Sequence, residues 1–234
     1  MAKLPILMYH NIAETESNGL TISATKIEEQ FKYLANKNFR SYHFSELNDY
    51  SKLPGKRNVV ITFDDGFLSQ LEFAVPLLKK YNLKATFFIP LAYLGKNDAW
   101  HTKSLPIMTS EILKTLDRSV IELAYHSYHH KKYHELNISE IKEDTRLSIE
   151  TVSKNELSFS PAIAYPYGKF PKAKFLKQKF VNHLEQKGFK YGLRIGNRLN
   201  KFPFKNKFEI QRIDIKGEYS FKKFKQKLRW GKFF

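Results

Sequence analysis

Short apolar segments alternate with amphipathic helical segments along most of this chain, about every 20 to 40 residues. The apolar segments at 4–10, 58–64, 84–90, 120–125 and 162–165 are rich in β-branched or aromatic residues and are too short for buried helices, which favours strands. The intervening segments repeat apolar residues every three or four positions, as helices packed on one face do. Alternating strands and helices predict an α/β fold with a mostly parallel sheet, and the number of strands favours closure into a barrel.

Reactive or polar side chains follow several of these predicted strands directly. They are His10, the adjacent pair Asp64 and Asp65, His126, and Tyr167. Chemistry in parallel α/β barrels collects at the carboxyl ends of the strands, so we expect these side chains to meet at one rim. Residues 91–108 have no apolar period and are expected to form a loop bordering a cleft there.

The strand at 58–64 ends in two carboxylates that precede Gly66. Asp64 and Asp65 repel each other and are costly to bury, and a turn with a helix N-cap would explain a generic Asp-Asp-Gly sequence. The cluster of histidines at 126–130 favours a chemical function instead. If Asp65 binds a metal ion and Asp64 stays free as a base, both carboxylates have a reason to be present.

Metal ligands in this chain must be histidine or carboxylate, because the sequence contains no cysteine. His126 and His130 are spaced i and i+4, which places them on one face of a helical turn, and His129 is the alternative second ligand. With Asp65 they supply two imidazoles and one carboxylate, a set that suits Zn²⁺ or another borderline divalent ion. Such an ion activates water and polarises a carbonyl oxygen, while Asp64 takes the proton. The pattern therefore predicts hydrolysis of an amide or ester.

Three motifs in this order make the chain resemble the polysaccharide deacetylases with a NodB homology domain, carbohydrate esterase family 4. They are Thr62-Phe63-Asp64-Asp65-Gly66, His126-Ser127-Tyr128-His129-His130 and Tyr165-Pro166-Tyr167-Gly168. The resemblance extends from Pro5 to about Ile215 and implies a distorted (β/α)7 barrel. It also implies removal of N-acetyl or O-acetyl groups from sugars of a cell-envelope polysaccharide or its lipid-linked precursor.

The same resemblance assigns roles to individual residues. Asp64 is implied as the catalytic base, and Asp65, His126 and His130 as ligands of a divalent metal ion. Zn²⁺ is expected, with Co²⁺ or Ni²⁺ as alternatives. Tyr167 and Gly168 are implied in substrate binding, with the backbone N–H of Tyr167 as a donor to the oxyanion.

Two positions depart from the usual family pattern. The family has an arginine where this chain has Ala164, and a late Leu-x-His motif for the general acid where the last histidine here is His183, in a predicted lysine-rich helix. Leu7-Met8-Tyr9-His10 is similar to circularly permuted members that act on poly-N-acetylglucosamine, in which an N-terminal histidine is the acid. His10 is therefore predicted as the acid, with Asp214 as a candidate to orient it; a strand-end histidine with a satisfied hydrogen bond is the alternative. Both departures also support a second interpretation, a catalytically impaired glycan-binding protein.

The positive charge is concentrated at the C-terminal end. Of the formal charge of +17, residues 1–168 hold 20 Lys/Arg against 19 Asp/Glu, whereas residues 169–234 hold 20 against 4. We interpret residues 1–218 as the deacetylase domain and 219–234 as a basic, aromatic tail. The tail favours an anionic membrane surface as partner, unless its aromatic residues pack on the barrel instead. Nucleic acid competes as a partner for the lysines, but no recognition motif accompanies them and specific binding is not expected.

The N-terminal residues lack the apolar core of a signal peptide, and no apolar segment approaches the ~20 residues of a membrane span. The sequence therefore predicts a cytoplasmic protein, peripheral at the inner face of the membrane, that works on an N-acetylated glycan or a lipid-linked sugar.

Overall fold

Seven parallel strands close into a barrel in the computed structural model, which describes residues 2–102 and 104–232. The strands in chain order are β1 (Ala2–Leu4), β2 (Ile6–Tyr9), β3 (Asn11–Ala13), β4 (Thr21–Ser23), β5 (Arg40–Ser41), β6 (Asn58–Asp64), β7 (Ala85–Ile89), β8 (Ile121–Tyr125), β9 (Ala162–Ala164), β10 (Tyr191–Ile195), β11 (Asn200–Phe202) and β12 (Ile210–Asp214). The α-helices are α1 (Ala24–Asn36), α2 (Val75–Lys80), α3 (Ser110–Thr115), α4 (Ile138–Lys154), α5 (Lys174–Gln186) and α6 (Phe221–Trp230). The barrel ring runs β2-β6-β7-β8-β9-β10-β12 and returns to β2, so the predicted (β/α)7 class is confirmed.

Strand β6 is buried along its whole length, and its pairing sets the register of the two strands beside it. It pairs with β2 on one side, where Tyr9 lies opposite Phe63, and with β7 on the other, where Asp64 lies opposite Phe88. Strand β12 pairs with the other edge of β2 and closes the ring. Because Tyr9 and Phe63 are in register, the next residues of the two strands, His10 and Asp64, emerge side by side.

The core has two layers because side chains alternate along each strand. One set fills the inside of the barrel, with small residues on β8 and β9 facing the large Phe88 of β7. The other set, which includes Leu7, Ile61 and Phe87, packs outward against the helices. Filling the interior leaves its last layer, at the carboxyl ends of the strands, for polar groups.

Residues 69–80 repeat apolar residues with the spacing of a single helix, but the structure gives this segment two geometries. Residues Gln70–Ala74 form a π-helical turn, and α2 begins at Val75. The wider turn accompanies buried Gln70, whose amide group donates to backbone carbonyls outside the helix. Insertions of this kind occur often at functional sites.

Helix α6 lies within the predicted tail and packs its apolar face on α1. Phe221 and Phe224 make edge contacts with Tyr33, at ring-centroid distances of 5.5 and 6.3 Å, and Phe224 and Leu228 are buried. The Ser220 hydroxyl caps the helix by accepting from the backbone N–H of Lys223. The boundary at residue 218 stays a prediction; Phe221 and Phe224 of α6 pack on α1, whereas Trp230 at the end of the helix is 47% exposed. Among the described helices, none combines the length and apolarity needed to cross a bilayer.

Candidate active site

Alternation along the strands brings the polar residues together at the top of the barrel. Side chains two positions apart on a strand point to the same face. Asp64 is four positions after Val60, and Arg212 and His126 are two positions after Ile210 and Ala124, all of which fill the barrel interior. The three polar side chains point into the layer above the apolar core. With His10, Asp65 and His130 they border a cavity of about 260 Å³. The side chains predicted from four separate segments therefore do share one site.

Asp64 forms a buried, two-pronged ion pair with Arg212. Guanidinium Nη1 and Nη2 lie 2.5 and 2.7 Å from Oδ1 and Oδ2 of the carboxylate, and both residues are almost fully buried. Burial raises the pKa of Asp64, but the charge of Arg212 and its hydrogen bonds to the carboxylate outweigh that effect, so the pKa is lower than usual. Asp64 is therefore held as a carboxylate ready to accept a proton.

Asp65 faces the two imidazoles predicted as its co-ligands. Its Oδ1 atom is 3.2 Å from His130 Nε2 and 3.5 Å from His126 Nε2, and the three ligand atoms lie within 4.8 Å of one another. That Oδ1 is buried without a hydrogen-bond partner among the described residues, while Oδ2 faces the indole N–H of Trp100 at 3.4 Å. An acceptor oxygen between two imidazole nitrogens, with no donor of its own, fits a divalent cation.

His126 is oriented by the backbone of the neighbouring strand. Its Nδ1 is 2.8 Å from the carbonyl oxygen of Ala164. A carbonyl only accepts, so Nδ1 carries the hydrogen and Nε2 presents its lone pair to the Asp65 side of the site. Burial lowers the pKa of His126 to about 4, which keeps the ring neutral, as a metal ligand must be.

The predicted helical geometry of residues 126–130 is wrong. The segment is a loop in which Ser127 and His130 adopt positive φ values of 65° and 56°, and the Ser127 hydroxyl accepts from the backbone N–H of His130. This tight turn, rather than an α-helical spacing, brings His126 and His130 to one point. His129 is turned outward and half exposed, with Nδ1 3.4 Å from Oδ1 of Asp144.

Asp144 of α4 holds this loop from beneath. Its two carboxylate oxygens accept from the backbone N–H groups of Tyr128 and His129, each at 3.0 Å, and from the hydroxyl of Tyr133 at 3.1 Å. The carboxylate is buried, so these bonds are shielded from water. Asp144 therefore fixes the backbone that carries His130.

His10 also lies beside Asp64, with Nε2 3.8 Å from Asp64 Oδ2. The side-chain amide of Gln70 donates to the backbone carbonyls of both His10 and Asp64, at 3.0 and 2.6 Å. Gln70 therefore fixes the spacing between the predicted base and the predicted acid. Asp214 borders the same cavity, and its Oδ1 and His10 Nδ1 are both buried without a hydrogen-bond partner in the described ranges.

The loop expected to border a cleft does so. The indole of Trp100 stacks on the ring of His130, with centroids 3.7 Å apart and an interplanar angle of 23°. The half-exposed ring of Tyr167 lies 5.0 Å from the ring of His130. Gly168, at φ +64°, leaves no room for a side chain, since a Cβ there would be 2.6 Å from the backbone N of Ile195. The aromatic rings thus form the mouth of the cavity.

A model of one protein family, described as polysaccharide deacetylase, matches residues 51–191. The chain belongs to the polysaccharide deacetylase family. The enzyme class predicted from the sequence is confirmed at this level, and the matched range contains Asp64, Asp65 and the histidine loop but neither His10 nor Arg212.

Curated relatives of this deacetylase are longer than the chain itself. The Bacillus subtilis protein YxkH is 28% identical over 195 residues, covering 82% of this chain and 64% of its own length. A poly-β-1,6-N-acetyl-D-glucosamine N-deacetylase of Staphylococcus aureus is 27% identical over 220 residues, covering 89% and 72%. The chain thus spans about two thirds of their length.

Solved structures of low sequence identity share the fold of the deacetylase. Streptococcus pyogenes deacetylase PplD in complex with acetate has a TM-score of 0.80 at 20% identity, covering 97% of this chain and 98% of the other. IcaB from Ammonifex degensii has a TM-score of 0.79 at 23% identity, covering 98% and 97%. The barrel is therefore shared over nearly the whole of both chains.

Sequence reasoning missed four residues that shape this deacetylase site. They are Gln70, Trp100, Asp144 and Arg212. Arg212 was detectable as a cation between Ile210 and Ile213, because a charge buried among apolar residues needs a partner. Its guanidinium gives Asp64 a buried cationic partner, so the lack of an arginine at Ala164 does not leave Asp64 without one.

Proposed function

We propose that this polysaccharide deacetylase hydrolyses N-acetyl groups on glucosamine-type sugars, using a divalent ion held by Asp65, His126 and His130. The observation that carries the proposal is the unpaired Asp65 Oδ1, placed between two imidazole nitrogens and beside an ionised Asp64. When bound, such an ion supplies Lewis-acid polarisation of a carbonyl oxygen and of water. The donor set favours Zn²⁺, with Co²⁺ or Ni²⁺ as alternatives.

The residues around the ligands supply the proton transfers. Asp64, kept as a carboxylate by Arg212, accepts a proton from the water that adds to the acetyl carbon. His10 then donates a proton to the amine nitrogen as the C–N bond breaks, which releases acetate and a free amino sugar. The backbone N–H of Tyr167, at the mouth of the cavity, is the proposed donor to the carbonyl oxygen as it gains negative charge, and Gly168 lets that backbone approach closely.

Two matched variants separate metal binding from proton transfer. We expect Asp65→Asn to lower bound zinc, measured by elemental analysis of the purified protein, and to abolish acetate release. We expect Asp64→Asn to retain the zinc and to lower acetate release by roughly 10²–10⁴-fold, because it removes only the base. Equal zinc content in the unsubstituted protein and in both variants would contradict the assignment of Asp65 as a ligand.

The activity assay uses β-1,6- and β-1,4-linked N-acetylglucosamine oligomers as test substrates, with zinc, cobalt or nickel added. The name of the Staphylococcus aureus relatives makes the β-1,6 series the first choice. Acetate release is the expected result. Oligomer binding without acetate under every metal would instead favour a glycan-binding protein on the same fold. A lipid-linked N-acetylated sugar in the same assay tests whether the substrate is a polysaccharide precursor. The cytoplasmic location stays a prediction.

A further inference from the structure

Two large apolar side chains stand exposed at the start of α5. Phe175 is 67% and Leu176 48% exposed. They lie within residues 169–179, which contain five lysines and no acidic residue and which we call the α5 patch. An exposed aromatic–aliphatic pair inside a ring of lysines is the composition of a surface that binds a lipid–water interface.

The positive charge of the α5 patch is only partly balanced. Lys177 pairs with Glu209 at 2.9 Å, and the same carboxylate is 3.9 Å from Arg194. Lys172 and Lys179 lie instead over aromatic rings, at 3.5 Å from the centroid of Phe170 and 4.2 Å from that of Phe175. Burial, followed by repulsion from Arg194, lowers the pKa of Lys172. Anions are therefore the complementary partners.

The α5 patch lies at the same end of the barrel as the candidate active site. A helix that follows a barrel strand begins near the carboxyl end of that strand, and Lys169 directly follows Gly168 of the cavity wall. Beside the patch, a second cavity of about 260 Å³ is lined by apolar groups that include Leu136, Pro171 and Leu176. Apolar surface thus continues from the patch toward the histidine loop.

The sequence favoured residues 219–234 as the membrane-binding segment, and the packing of α6 weakens that assignment. Phe224 and Leu228 are buried against α1, which leaves Trp230 as a single exposed aromatic at the end of α6, whereas Phe175 and Leu176 form an adjacent exposed pair. A bilayer offers both anionic headgroups for the lysines and an apolar layer for this pair, which duplex nucleic acid does not. We infer that the α5 patch docks the protein on an anionic phospholipid bilayer, with Phe175 and Leu176 inserted at the interface. Resting on the proposed function, this orientation turns the mouth of the active site toward sugars held at the membrane surface.

The test measures binding of the full chain to vesicles of phosphatidylcholine alone and of phosphatidylcholine mixed with phosphatidylglycerol. We expect binding to the mixed vesicles only. Phe175→Ser combined with Leu176→Ser is expected to weaken it by about tenfold or more, from lost apolar insertion. Lys174→Ala combined with Lys179→Ala is expected to weaken it about fivefold per lysine. Acetate release from a soluble oligomer is expected to stay unchanged in both variants, so a failed docking proposal and a failed deacetylase proposal are distinguishable.

The charge-matched control is Lys222→Ala with Lys225→Ala on α6, which removes the same charge from exposed positions outside the α5 patch. A larger effect of this control than of the α5 lysines would place docking on α6 and overturn the inference. Failure of the intact chain to bind the mixed vesicles would overturn it as well. So would binding of duplex DNA, sensitive to Lys174 and Lys179, that outcompetes the vesicles.

Discussion

The charge problem posed by two adjacent buried carboxylates is solved residue by residue. Asp64 takes the guanidinium of Arg212, and Asp65 faces the imidazoles of His126 and His130. The guanidinium keeps Asp64 ionised, and a divalent cation among Asp65, His126 and His130 would balance the second carboxylate. Arg212 is therefore a positioning residue for Asp64.

Replacing Arg212 with methionine tests this arrangement. The change leaves the Asp64 carboxylate buried without a cation, so the pKa of Asp64 is expected to rise and the folded state to lose about 3–5 kcal/mol. Since the base must be ionised, the acid side of the pH–rate profile is expected to move to higher pH. The measurements are that profile and the denaturant midpoint.

Arg212→Lys is the matched variant for this experiment. It keeps the charge but loses the two-pronged contact, and we expect a smaller shift of the same sign. An unchanged pH profile in Arg212→Met, with the fold intact, would show that Asp64 does not depend on the guanidinium.

At the scale of elements, α4 organises the loop that holds the histidines. The helix begins with a capping box in which Asn137 and Glu140 satisfy each other's backbone N–H groups, and this fixes where Asp144 falls two turns later. From there Asp144 receives the N–H groups of Tyr128 and His129. The loop geometry therefore comes from a helix that contributes no ligand of its own.

Asp144→Asn is expected to loosen that loop. The asparagine side chain has an NH2 group in place of one carboxylate oxygen. This donor then faces another donor, either a backbone N–H or the hydroxyl of Tyr133, so we expect a loss of roughly 2 kcal/mol or more in the free energy of unfolding. Zinc affinity, measured by titration calorimetry, is expected to fall about 10–100-fold.

Glu143→Gln, on the next position of α4, is the control for the Asp144 substitution. Its exposed side chain pairs with Arg146, and its effect on stability is expected within about 0.5 kcal/mol. Unchanged zinc affinity in Asp144→Asn would mean that the loop keeps its geometry without the carboxylate.

The sequence predicted the five barrel strands at 4–10, 58–64, 84–90, 120–125 and 162–165 because each is a short apolar run that local composition reveals. It predicted the set Asp65, His126 and His130, which the structure brings together, because strand ends must meet at one rim. It failed on the histidine turn, on the π-helical turn at Gln70 and on Arg212. Each of these depends on a hydrogen bond or ion pair to a remote segment, which local periodicity does not encode.

At the scale of the whole molecule, both ends of the chain complete the barrel. Strand β2 supplies His10 and closes the ring against β12, which supplies Arg212. Helix α6 then returns to α1, and buried Lys227 donates to Asn197, the residue whose side chain accepts from the backbone of Asp214. The C-terminal helix therefore supports one wall of the candidate site.

Phe224→Ala measures how much this helix contributes to the fold. Phe224 is fully buried between α6 and α1, so the truncation is expected to cost about 3–5 kcal/mol in a denaturant titration. Lys222→Ala, an exposed change on the same helix, is expected to stay within about 0.5 kcal/mol. Equal midpoints for the two variants would mean that α6 is an independent tail.

Four non-glycine residues of the candidate active site adopt left-handed backbone angles: Asp65, Ser127, His130 and Tyr167. Each such angle costs roughly 1–2 kcal/mol relative to an ordinary conformation, and glycine would relieve it. For Asp65, His130 and Tyr167, whose side chains line the cavity, substitution by glycine would remove the side chain that the site uses. Engineers who seek a hardier version of this protein will find that thermal robustness and turnover make opposing demands on the same few peptide units.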